Sequence, residues 1–109
     1  MNIVRYDPEA NAMYVRLSSR KAWETMEINH HVNVDLDRSG HVVSVELLDL
    51  RKFIENIFGK NLTEAKLKSV KIHARTESGS ELILDMNYAG ERAYYAIPQA
   101  YTSPLVASV

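Results

Sequence analysis

Between Asn33 and Leu47 the chain reads NVDLDRSGHVVSVEL, with apolar and polar residues alternating on both sides of a Ser-Gly pair. Alternation of this kind is the period of a half-buried strand. The Ser-Gly pair folds one half back on the other. A slip of one residue would turn every apolar side chain outward, so the pattern fixes the pairing as well as the strands. With Ser39-Gly40 as a two-residue turn, Leu36 faces Val43, Val34 faces Val45 and Val32 faces Leu47. On the opposite side Asp35 meets Ser44 and Asn33 meets Glu46. Gly40 then takes the positive φ that such turns require.

The same rule extends in both directions. A loop at Asn29-His30-His31 pairs Met26 with Val34. A wider loop from Ser18 to Trp23 pairs Val15 with Met26 and Met13 with Ile28. A first loop opened by Asp7-Pro8 pairs Tyr6 with Met13 and Val4 with Val15. Proline presets φ there and the aspartate can bond the turn backbone. The period then changes: Leu50, Phe53, Ile54, Ile57 and Phe58 follow helical spacing, with Asp49 placed to cap the start and Gly59 the end. Residues 61–68 read as either a short second helix or a connector. Beyond them a loop at Ser78-Gly79-Ser80 sets Ile72 against Met86 and Ala74 against Leu84. A turn at Ala89-Gly90 sets Met86 against Ala93 and Leu84 against Tyr95. The predicted class is therefore α+β: a five-stranded antiparallel β-meander, a helix over 50–58, and a second, three-stranded antiparallel meander. A single domain over 1–109 is expected, made of 1–58, the second meander at 70–97 and a tail at 98–109.

Composition narrows the functional classes. A 109-residue chain with 46% hydrophobic and 25% charged residues can bury a core. Without cysteine there is no thiolate nucleophile, disulfide or Cys-ligated zinc. A formal net charge of −1 disfavours a nucleic-acid binder that works through bulk electrostatics. No apolar run reaches the roughly 20 residues of a membrane helix, and the start lacks the form of a signal peptide, so a cytoplasmic location is expected.

The run Tyr6-Asp7-Pro8-Glu9-Ala10-Asn11-Ala12-Met13-Tyr14-Val15-Arg16-Leu17, the pair Glu24-Thr25, and the segment from Val32 to Asp49 resemble the short proteins grouped as domain of unknown function 2283. The resemblance covers about the first half of the chain. It implies a compact β-meander followed by a helix, and carries no catalytic residue or cofactor. Some members are encoded beside toxin-like genes, which implies an antitoxin-type or other partner-binding role. This chain departs from the pattern at Asn11, where an acidic residue is common, and at Ser39, where Asp-Gly turns are common.

Five constellations can carry chemistry or contacts. His30 and His31, with Asp35, Asp37 and His41 near in sequence, are metal-ligating types. They stand at opposite ends of one strand, about 16 Å apart, so exposed loop histidines are the simpler reading. His73, Asp85 and Tyr94 fall in one cross-strand row, the arrangement in which a carboxylate orients an imidazole for acid–base work. An ordinary polar ladder explains the same row. Lys66, Lys68, Lys71 and Arg75 form a basic strip amid Glu64, Glu77, Glu81 and Asp85, which suits a solvated mixed-charge face better than a phosphate track. Ile83, Tyr94, Ala96, Tyr101 and Leu105 assemble an apolar and tyrosine-bearing patch opposite the core face, the composition of a protein interface. Trp23, beside the Ser19-Arg20-Lys21 loop, can anchor a partner or pack.

The sequence favours a non-enzymatic, homo-oligomeric protein-interaction module, antitoxin-like if the resemblance extends to function, with a protein partner and no cofactor, membrane or nucleic acid. The alternative is a small-molecule-binding or hydrolytic enzyme built on His73, Asp85 and Tyr94, with or without a metal.

Overall fold

The computed structural model of the chain describes residues 2–77 and 81–97. Eight strands and two helices follow in order: β1 (Ile3–Asp7), β2 (Ala12–Arg16), β3 (Glu24–Glu27), β4 (Val32–Leu36), β5 (Val42–Leu47), α1 (Leu50–Phe58), α2 (Glu64–Lys68), β6 (Lys71–Glu77), β7 (Glu81–Tyr88) and β8 (Glu91–Ile97). The expected α+β class holds, with a five-stranded and a three-stranded antiparallel sheet.

The first sheet departs from a simple meander. Its order is β1-β2-β5-β4-β3. Val15 faces Val45 and Met13 faces Leu47, not Met26 and Ile28. Strands β2 to β5 thereby form a Greek key. The physical reason lies in β3, where Glu24 shares a side with Met26, the side that a central strand would bury. At the edge Glu24 stays half-exposed and Glu27 exposed, and these charges guard against edge-to-edge pairing. Valine-rich β5 takes the centre, with Val43 and Ser44 fully buried. The β2–β3 connection crosses the end of the sheet, where Leu17 N and Ser18 N both donate to Val43 O at 2.8 and 3.2 Å.

The hairpin tip also differs in detail. Val34–Val45, Val32–Leu47, Asp35–Ser44 and Asn33–Glu46 pair as the alternation requires, but Leu36 meets Val42, with a register shift at Asp35/Leu36. Gly40 N donates to Asp37 O at 3.1 Å and Asp37 N to His41 O at 2.9 Å. The loop is thus Arg38-Ser39-Gly40, a turn closed by a left-handed glycine at φ 84, and the bulge restores the register.

At the head of α1, Asp49 occupies the N-cap with φ 47 and makes no side-chain cap bond. Asn11 does that work from the first hairpin: its backbone carbonyl accepts from Leu50 N at 2.9 Å and its side-chain oxygen from Arg51 N at 3.1 Å. Gly59 ends the helix at φ 68, as expected. Residues 64–68 do form a short helix, capped by the Thr63 side chain accepting from Lys66 N.

The second sheet has the predicted register throughout, with Ile72–Met86, Ala74–Leu84, Met86–Ala93 and Leu84–Tyr95 paired. The turn is Ala89-Gly90, both at positive φ. The Ser78-Gly79-Ser80 loop and residues 98–109 lie outside the described residues. One hydrophobic cluster runs from Val15, Val34 and Val45 through Leu50 and Ile54 to Leu84 and Ile97, so both sheets share it. Phe53 of α1 joins them directly, its ring 5.0 Å from Tyr95 and 5.5 Å from His31. On another side the Asn2 amide bonds both backbone groups of Ala74 on β6, at 2.9 and 3.0 Å. Among the described residues no helix is long and apolar enough to cross a membrane.

Candidate functional site

Two regions bring chemistry-bearing side chains together. The first is the outer face of the second sheet. Alternation along β6, β7 and β8 sends every second residue outward, and the ladder ranks them in rows: Lys71–Asn87–Arg92, then His73–Asp85–Tyr94, then Arg75–Ile83–Ala96, then Glu77–Glu81. A concavity of about 460 Å³ lies over the first two rows. The His73–Asp85–Tyr94 row is present, but its carboxylate is committed elsewhere. Asp85 accepts from Arg75 Nε at 2.7 Å and from Nη2 at 3.4 Å, while His73 Nδ1 stands 4.0 Å from it. Arg75 also donates to Glu77 at 2.8 Å. Hydrogen bonds to Asp85 and Glu77 raise the guanidinium pKa beyond its ordinary value, outweighing its slight desolvation. Arg75, not His73, therefore holds the carboxylate.

Of the expected interface residues, Tyr94 is 67% exposed and Ala96 is exposed, whereas Ile83 retains only 7% of its surface. Tyr101 and Leu105 lie outside the described residues.

The second region was read in the sequence only as separate residues. In the tight 37–41 loop, Asp37 accepts from Ser39 N and His41 N, each at 2.9 Å, and from Arg20 Nη1 at 2.9 Å. Burial alone would raise its pKa. The Arg20 bond, the two backbone N–H groups and the His41 charge outweigh that, and hold it at about 2. Arg20 Nη1 also lies 3.0 Å from His41 Nδ1. Trp23 is 51% exposed beside them, with the Arg38 guanidinium 4.1 Å from its ring centroid. The signal for this assembly was available. The pairing of Met26 with Val34, continued outward, brings Trp23 level with Asp37. Only Arg20, on an irregular loop, had no register to place it.

The metal candidates separate. His31 Nδ1 donates to Leu48 O at 2.9 Å, and the ring leans on Phe53. His30 is exposed in the loop. Asp37 and His41 sit at the other end of β4. Among the described residues no three His, Cys, Asp or Glu side chains are grouped to hold a metal ion. In the basic strip, Lys68 pairs with Glu64 at 3.9 Å on α2, apart from the row headed by Lys71.

The fold and these regions define an α+β protein of two antiparallel sheets bridged by a helix. Over its first sheet and the start of α1 the chain is similar to a known family: the model described as a protein of unknown function (DUF2283) matches residues 3–51, roughly the first half of the chain. The resemblance read from the sequence is borne out over that span. No curated protein and no solved structure matches the chain.

Proposed function

We propose that this protein is a non-enzymatic interaction module that self-associates through the outer face of its second sheet. The observation that carries this reading is the charge polarity of that face along its strands. The row Lys71–Asn87–Arg92 holds two cations and no acid. Toward the other end, Arg75 alone faces Asp85, Glu77 and Glu81, and the two glutamates stand directly opposite each other. Like charges in that position destabilise a strand pair, so this end gains from cations brought by another surface. The two ends lie six residues, or about 20 Å, apart.

A second copy turned about a two-fold axis that lies parallel to the face and across the strands lays each basic end over the other's acidic end. An isologous contact of this kind is satisfied twice by the same pairing. Exposed Tyr94 and Ala96 lie between the ends and supply the apolar centre. The footprint, about 20 by 14 Å, is near 300 Å² per copy, against about 800 Å² for a standard stable interface. The dimer is therefore weak, reversible and salt-sensitive. Asp85, spent on Arg75, is poorly placed to tune His73, which speaks against the hydrolytic alternative.

Sedimentation velocity at low salt tests this reading. The mass is expected to rise toward twice the monomer value with concentration, and to fall back in high salt. Lys71→Glu with Arg92→Glu is expected to leave a monomer. Adding Glu77→Lys and Glu81→Lys swaps both ends and restores the dimer. A wild-type mass that stays monomeric at every concentration refutes the proposal.

A further inference from the structure

The groove beside Trp23, at the far end of the β4–β5 hairpin, is a second site with its own chemistry. We infer that it binds a nucleotide, with the base on the indole of Trp23 and a phosphate among the guanidinium and ammonium groups of Arg20, Lys21 and Arg38.

The indole is the first observation. A tryptophan buries more area than most side chains and is usually largely covered, yet this one is 51% exposed. It is also held in place: Trp23 N donates to Leu36 O at 2.7 Å, which ties the residue to the end of the sheet. The Arg38 guanidinium lies over one face of the ring, 4.1 Å from its centroid, so a base takes the opposite face with this cation held across the ring from it. The groove they line has a volume of about 710 Å³, within the range of small-molecule sites.

The charge balance is the second observation. Arg20, Lys21 and Arg38 line the groove against one carboxylate, Asp37. That carboxylate already accepts from Arg20 and from two backbone N–H groups. Two positive charges are left over for a ligand. The frame is pre-organised, because Asp37 fixes both the 38–41 loop and Arg20, and Arg20 O is held in turn by Arg16 Nη2 at 3.0 Å.

A planar base with a compact phosphate uses both features. Stacking on an aromatic side chain contributes to binding whatever the base, and an arginine fork suits phosphate oxygens. An acidic peptide fits less well, since its carboxylates bring no planar base for the indole. The overall charge of −1 makes this attraction local, reaching one or two phosphates and not a long track.

Trp23 is the single tryptophan of the chain, so its emission reports this groove alone. The full-length protein is titrated with AMP, with a short oligothymidylate, and with adenosine and inorganic phosphate as separate halves, while calorimetry catches binding that leaves the emission unchanged. AMP or the oligonucleotide is expected to bind saturably, at least about tenfold more tightly than either half. Arg38→Gln and Lys21→Gln are expected to weaken this severalfold with an unchanged melting temperature. Preference for the oligonucleotide identifies single strands as the source, and preference for AMP identifies free nucleotides; both sustain the inference. Absence of binding by both, or inorganic phosphate binding as tightly as AMP, overturns it.

Discussion

Asp37 ties three segments together with one carboxylate, and its effect on stability has a definite sign. Its pKa falls from 3.8 to about 2 in the folded protein. A depressed folded pKa means the stabilisation is complete above the unfolded value, near pH 4, and disappears as pH drops through about 2. The full difference corresponds to about 2 kcal/mol, and solvent screening around exposed Arg20 reduces it to about 1–2 kcal/mol. Asp37→Asn is therefore expected to lower the unfolding free energy by about that amount in urea melts at neutral pH, with the gap closing near pH 2. A gap of equal size at both pH values would show that charge is not the cause. In the sequence Asp37 was legible only as a metal-ligating type near His41, because a two-residue turn at Ser39-Gly40 leaves it outside the loop that its carboxylate holds. Its partner Arg20 was not, because loop residues obey no alternation that would point one cation at one carboxylate.

At the scale of elements, what was legible is what side-chain period controls. All seven pairs of β6 with β7 follow from setting Ile72 against Met86, and the bounds of α1 follow from the spacing of Leu50, Phe53 and Ile54. Strand order was not legible, since period tells which face a strand buries and not which neighbour it takes. Nor was the cap of α1, which comes from a residue 38 positions before Asp49. Asn11 sits at φ 50, a conformation asparagine tolerates better than most residues, accepts from two helix N–H groups, and donates through Nδ2 to Asp49 at 3.3 Å. That last bond gives a physical account of asparagine here: an aspartate would set two carboxylates against each other. Asn11→Ala is expected to cost about 1 kcal/mol or more in thermal or chemical denaturation, the range of a lost N-cap. Asn11→Asp should keep the acceptor yet be less stable than wild type at neutral pH, recovering as acid neutralises one of the two carboxylates. An Asn11→Asp variant as stable as wild type at neutral pH would count against the pairing with Asp49.

Across the whole molecule the two sheets share one hydrophobic cluster, and Phe53 of α1 packs against residues from both sides of it. Its ring packs edge-on to Tyr95 of β8 and tilts against His31 at the end of β4, while Asn29 Nδ2 donates to the Tyr95 hydroxyl at 2.8 Å beside them. Removing that ring takes out a buried aromatic, which costs about 3–5 kcal/mol in well-packed cores. It also removes the wedge that makes one core of two sheets. Neither sheet is covered on its apolar face without the other, so the wild-type chain is expected to unfold in one transition, with Trp23 emission and far-ultraviolet circular dichroism melting together. Trp23 belongs to the first sheet alone, whereas the dichroism sums both. In Phe53→Ala the second sheet, with three strands and fewer anchors, should open at lower denaturant, so that the dichroism begins to fall before the tryptophan emission moves. Coincident transitions in this variant would mean that the Asn2–Ala74 seam and the shared aliphatic cluster suffice to couple the sheets. The helix would then be a cover for the core and not its connector.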